Sequence, residues 1–335
     1  MSSTADESAL PLFIILNAGS GHDSTAAIRA TVEDVLTQAG RTYQLAVVED
    51  AAKLDRIARE TVEQARERGG AVVVAGGDGT INAVAQTVLG SGCPLGVLPQ
   101  GTFNYFGREH GIPSDTAEAA RALLTARIRE VQVGLVNDRI FLVNASVGLY
   151  PQALEDREAF KQQYGRSRPV AFASGLITLL SGYPQLRISL ELRGETHDIR
   201  TPTLFVGNNR LQMEQIGVPL ENALENGELA AITLRPIGTM AMLWLLARGA
   251  FGTLGEADNV ISFGFKRLTV APTRALKRRV KVATDGEIVW MDVPLEFRVS
   301  PQPLRLLKPD TMSQPATPQQ ATSATGSEPG KQAEK

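Results

Sequence analysis

Residues 72–82 read Val72-Val73-Val74-Ala75-Gly76-Gly77-Asp78-Gly79-Thr80-Ile81-Asn82. A β-branched apolar run passes directly into glycines, an aspartate, a hydroxyl residue and a helix-like stretch. That order predicts a buried strand ending in a tight loop. Three glycines let a backbone turn sharply and approach a ligand without Cβ obstruction. The N–H groups of such a loop, followed by the first turn of a helix, make an anion site. Asp78 in that position is suited to hold a magnesium ion or to take a proton from an attacking hydroxyl. Its plainer reading is a turn-stabilising aspartate.

The flanking sequence repeats the pattern. Residues 10–16 (LPLFIIL) are a continuous apolar run that ends at Asn17-Ala18-Gly19-Ser20-Gly21. A helix follows, capped by Ser24 or Thr25 and closed by Gly40. Residues 43–48 (YQLAVV) read as a strand, and residues 51–68 as an amphipathic helix. Residues 94–98 form another short apolar strand, ending in Pro99-Gln100-Gly101-Thr102-Phe103-Asn104. Strands alternating with helices at this spacing predict a Rossmann-like α/β unit with a parallel sheet. Loops at the carboxyl ends of such strands are where ligands bind. The three glycine loops are therefore expected to meet in one cleft.

Near Arg129 the character changes. From residue 130 onward short strands dominate, separated by turns, which predicts a β-rich, sandwich-like second unit. Expected boundaries are a disordered start over residues 1–9, an α/β nucleotide-binding domain over 10–130, and a β-rich domain over 131–308. Residues 309–335 are rich in Ser, Thr, Pro, Gln and Ala and too poor in apolar residues to fold.

Composition narrows the function classes. The chain has 335 residues, 43% of them hydrophobic and 21% charged, an ordinary globular balance. A net charge of −2 argues against bulk nucleic-acid binding. The single cysteine, Cys93, rules out an internal disulfide framework and fits a reducing, cytoplasmic compartment. His22, His110 and His197 lie too far apart for zinc spacing. Residues 1–9 lack the basic and apolar segments of a signal peptide. Residues 169–180 are too short to span a bilayer, and residues 237–254 carry Arg248 and several glycines, so no transmembrane segment is expected.

Taken together, the three loops resemble the diacylglycerol kinase and sphingosine kinase-like lipid kinases, whose nucleotide-binding domain is similar to that of NAD kinases. The family's first loop is matched by residues 17–21, its GGDGT signature by Gly76 to Thr80, and its P-x-G-T-x-N loop by Pro99 to Asn104, with Arg108 four residues on. Its F-x-N-x-x-x-G strand resembles residues 141–148, and its late D-G-E element resembles Asp285-Gly286-Glu287. The likeness covers residues 10–308. Three positions depart from it: Tyr105 and Gln132 stand where diacylglycerol kinases carry aspartate, and Asn226 replaces an acid in the segment 224–229.

The resemblance implies ATP-dependent phosphorylation of a lipid hydroxyl with Mg2+ as the metal, diacylglycerol being the first candidate acceptor. It implies catalytic and metal roles for Asp78 and Glu287. Contacts to the nucleotide fall to Asn17, Ser20, Gly76, Gly77, Gly79, Thr80, Gly101, Thr102, Asn104 and Arg168. Glu155 falls where relatives hold the lipid head group. An enzyme of this kind works on a lipid at the membrane surface, peripheral to its inner face, and a homodimer stays open. Two alternatives also stay open: a nucleotide- or lipid-binding regulator with impaired catalysis, and an NAD kinase-like enzyme. The latter is disfavoured because Asn104 is followed by Tyr105 rather than by the glutamate an NAD kinase would use.

Overall fold

The computed structural model describes residues 10–19, 24–149, 151, 186–192, 194–218, 220–236, 244, 248, 258–272 and 278–310. Four apolar runs form the parallel strands β1 (Leu12–Asn17), β2 (Tyr43–Val48), β3 (Ala71–Gly76) and β4 (Leu95–Pro99), paired in the order β2-β1-β3-β4. Residues 12–16 and 71–75 are buried along their whole length, because helices cover this sheet. These helices are α1 (Thr25–Gln38), α2 (Leu54–Glu67), α3 (Asp78–Val88) and, beyond the short α4 (Tyr105–Glu109), α5 (Thr116–Thr125). Helix α1 packs with α5, and α2 with α3. Ser24 caps α1 by accepting from the Ala27 N–H, and Asp115 caps α5 by accepting from the Glu118 N–H.

After β5 (Arg127–Val131) the chain leaves this sheet. Twelve strands build two antiparallel six-stranded sheets. In chain order they are β6 (Gly134–Val136), β7 (Arg139–Phe141), β8 (Asn144–Gly148), β9 (Leu186–Leu192), β10 (Glu195–Thr201), β11 (Thr203–Gly207), β12 (Leu229–Leu234), β13 (Val260–Phe265), β14 (Arg267–Pro272), β15 (Arg279–Thr284), β16 (Glu287–Asp292) and β17 (Leu295–Val299). One sheet has the order β10-β9-β14-β17-β6-β7, the other β13-β12-β11-β8-β15-β16. Leu190, Leu268 and Phe297 from the first pack against Val147, Leu204, Phe265 and Val282 from the second. Two sheets closing over one apolar core is the expected sandwich. Helices α6 (Arg210–Ile216) and α7 (Glu221–Glu225) follow β11.

The last strand differs from the expected division at residue 131. Strand β18 (Leu304–Lys308) lies in the first sheet, parallel to β4 and antiparallel to β5. Leu304, Leu306 and Leu307 bury there, and burying each contributes about 1.5–3 kcal/mol. The chain thus enters the β-rich unit once and returns to close the parallel sheet. Among the described residues no helix is long and apolar enough to cross a membrane; most of the two apolar stretches at 169–180 and 237–254 lies outside them.

Candidate active site

Helix α3 begins inside the glycine signature, ahead of the helix-like stretch that follows Thr80 in the sequence. Gly77 is its N-cap in extended conformation, and Asp78, Gly79 and Thr80 form the first turn. The opening N–H groups of a helix have no intrahelical acceptor and carry the positive end of its dipole. The other two loops brace this turn. Asn17, at the end of β1, donates from Nδ2 to Thr80 Oγ1 at 2.8 Å and accepts from the Gly19 N–H. The Gln100 N–H donates to the Gly76 carbonyl at 2.9 Å. Gly101 comes so close that a Cβ on it would lie 3.0 Å from Gly77 Cα. The three loops do converge.

They frame a cavity of about 630 Å³ lined by Asn17, Gly77, Gly79, Thr80, Arg139 and Glu287, among others. Glu287 starts β16 after the turn at Asp285 and Gly286, both of which have positive φ. Its Oε1 would meet a Cβ on Gly79 at 3.3 Å, and its Oε2 accepts from Arg139 Nη2 at 2.6 Å. Asp78 does not line this cavity. Its carboxylate faces the start of α4, where the N–H groups of Phe106, Tyr105 and Asn104 pull its pKa down, but burial dominates and raises it. Asp78 Oδ1 is buried and, among the described residues, has no hydrogen-bond partner. Gly77 and Gly79 thus face the cavity while the aspartate between them turns toward the start of α4.

Asn104 is buried, adopts a left-handed φ of 48°, and ties its own loop by accepting from the Gly101 N–H at 2.8 Å. Thr102 is exposed. Tyr105 stacks on the exposed Phe103 with ring centroids 5.7 Å apart, and its carbonyl accepts from Asn209 Nδ2. Gln132 meets the 224–229 segment: its Nε2 donates to the Glu228 carbonyl and to Asn208 Oδ1. Among the described residues there is no cluster of three His, Cys, Asp or Glu side chains arranged for a metal. Ser20, Glu155 and Arg168 lie outside the described residues.

Three residues escaped the sequence reading. Asp285 stands on a turn but sends its carboxylate inward, accepting from the N–H groups of Leu142, Val143 and Asn144 and from Asn82 Nδ2. Burial pushes its pKa up to about 6 against those four donors. Asn82, one turn into α3, also donates to the Ile140 carbonyl. Arg139 reaches the cavity from β7. The aspartate of the D-G-E element was visible, but its partners are remote in sequence, and a lone arginine in a hairpin has no periodic signal.

Comparison with known proteins agrees with this geometry. Residues 11–136 match the family model described as diacylglycerol kinase catalytic domain. A protein of Klebsiella pneumoniae named "Probable lipid kinase YegS-like" is 30% identical over 138 residues, covering 41% of this chain and 46% of that protein. One of the same name from Cronobacter sakazakii is 30% identical over 202 residues, covering 58% and 64%. The chain thus spans about half to two thirds of the length of these curated relatives. The crystal structure of a diacylglycerol kinase from Bacillus anthracis has the same fold, with a TM-score of 0.64 over 89% of this chain and 96% of that one at 16% identity. Loops, sheet order and comparisons agree on one likeness: residues 11–136 carry a domain similar to the diacylglycerol kinase catalytic domain, within a fold shared with bacterial diacylglycerol kinases.

Proposed function

We propose that this protein transfers the γ-phosphoryl group of ATP to the hydroxyl of a lipid, with diacylglycerol as the first candidate acceptor, at the inner surface of a membrane. The observation that carries this reading is the split at the signature turn. Gly77, Gly79 and Thr80 face a cavity sized for a nucleotide, while Asp78 faces away from it with a carboxylate oxygen that has no partner among the described residues.

Phosphoryl transfer asks a protein mainly for positioning and charge stabilisation. The first turn of α3 and the Asn17 amide supply donors for phosphate oxygens. The cradle is tight where backbone must approach, since even a methyl group on Gly79 would crowd Glu287. Glu287, half-exposed at the cavity wall, offers the hard carboxylate oxygens that magnesium prefers, while Asp78, turned away from the cavity, is left for proton transfer. When bound, magnesium would neutralise phosphate charge. Asp78 accepts the proton of the attacking hydroxyl, and a pKa raised by burial makes it the stronger base.

The test is product identification. Purified protein is incubated with Mg2+, ATP and mixed micelles of single lipids, including diacylglycerol, and the lipid phase is analysed by mass spectrometry. A phosphorylated lipid in one or more reactions supports the reading. ATP binding without any phosphorylated lipid favours a regulator.

A further inference from the structure

Arg139 is held in the cavity more firmly than a hairpin residue needs to be. The Gln86 amide brackets it, with Nε2 donating to the Asp138 carbonyl and Oε1 accepting from the Ile140 N–H. Helix α3 thereby fixes the backbone on both sides of Arg139. The side chain is fixed as well: Nε donates to Thr284 Oγ1 at 3.0 Å and Nη2 to Glu287 Oε2 at 2.6 Å. Its guanidinium is about one third exposed and Glu287 about one half, so the pair faces solvent in the cavity. An ion pair this exposed adds little stability, about 0–1 kcal/mol. Stability does not explain why three elements converge to aim it.

Charge in the cavity gives a better reason. Among the described residues that line it, Asp55 and Glu287 are acidic and Arg59 and Arg139 basic, so the wall is balanced. A nucleoside triphosphate needs cations there. A guanidinium carries five N–H donors in a planar fork suited to phosphate, and the bonds to Thr284 and Glu287 use two. As long as Glu287 holds it, Arg139 is neutralised.

We infer that Arg139 is a phosphate ligand of the nucleotide, kept in reserve by Glu287. A divalent cation that engages the Glu287 carboxylate frees Arg139 for phosphate, which couples metal binding to nucleotide binding through this one pair. The inference rests on the nucleotide reading of the cavity and adds a residue and a coupling to it.

The test measures dissociation constants for ATP by displacement of a fluorescent ATP analogue, with Mg2+ and in metal-free buffer. The proteins are wild type, Arg139→Ala, Arg139→Lys, Glu287→Gln and the Arg139→Ala/Glu287→Gln double variant, with thermal melts confirming that each folds. With Mg2+, Arg139→Ala is expected to weaken ATP binding about ten- to hundred-fold, and Arg139→Lys less, since it keeps the charge without the fork. Without metal, Glu287→Gln is expected to bind ATP several-fold more tightly than wild type, and the double variant to lose that gain. An Arg139→Ala protein that binds Mg-ATP within two-fold of wild type overturns the inference while leaving the kinase reading standing. So does a Glu287→Gln protein with no gain in metal-free buffer. Wild-type protein that binds no ATP in either buffer overturns both.

Discussion

Asn82 Nδ2 donates to Asp285 Oδ2 at 2.6 Å, joining residues 203 positions apart. Asn82 belongs to the helix that starts in the glycine signature, and Asp285 to the turn that launches Glu287. The same carboxylate collects the N–H groups of residues 142–144 at the start of β8. Through this one side chain the glycine signature, the sandwich and the Glu287 turn share a frame.

Asp285→Asn replaces one acceptor oxygen by a donor inside a ring of donors. The variant is expected to lose about 1.5–3 kcal/mol of stability, the scale of a hydrogen bond to a charged group. Urea unfolding followed by circular dichroism measures it; an unchanged midpoint would show that the ring is dispensable.

Acidity should act on the same residue. Burial holds the Asp285 carboxyl near 6, above its ordinary 3.8. The folded state therefore binds this proton more tightly than the unfolded chain, and the stability it contributes is full below about pH 4 and lost as pH rises through 6. The stability gap between wild type and Asp285→Asn is expected to widen by about 1–3 kcal/mol between pH 8 and pH 4. Unfolding curves across that range check it, and a gap that narrows on acidification contradicts it.

Gly101 sits where two loops touch. A Cβ there would lie 3.0 Å from Gly77 Cα and 2.9 Å from Asn104 Oδ1, so backbone has to move. Gly101→Ala is expected to cost about 1–3 kcal/mol, as overpacking does. At Gly19 a Cβ meets, among the described residues, only Asn17 Oδ1 at 3.7 Å, and Gly19→Ala should stay within about 0.5 kcal/mol of wild type. Thermal melts of the two variants side by side decide; equal losses would refute the close-approach account.

The pH dependence of turnover should report Asp78. Its carboxyl is shifted upward by burial, so the acid limb of kcat/KM is expected above the 3.8 of an ordinary aspartate. A rate that stays flat down to pH 4 would argue against Asp78 as the base.

Much of the site was legible because each loop carries its own local chemistry. An apolar run ending in glycine and a short polar residue marks a strand–turn wherever it occurs, so Asn17, the 76–80 loop and the 99–104 loop could be found one at a time. What stayed hidden depends on pairing across the chain. Asp285 and Asn82 matter only because they meet, and no spacing rule links them. Arg139 needed the positions of Gln86 and Glu287 before it had a role. Strand β18 is a similar case: residues 304–308 do not stand out as a strand in the sequence, and only Leu306 opposite Leu95 shows which sheet they join. The helix start inside the signature was missed because glycines at 76, 77 and 79 are poor helix formers, and a turn was the better local prediction.

The most direct measurement is transfer of labelled γ-phosphate from ATP into a lipid, comparing wild type with Asp78→Asn at equal nucleotide occupancy. Asp78 faces away from the glycine-lined cavity, so the variant is expected to bind ATP within a few-fold of wild type yet to label lipid at least about a hundred-fold more slowly, the scale of a lost general base. Transfer at the wild-type rate by Asp78→Asn, or no labelled lipid from a wild-type protein that binds ATP, would contradict the account.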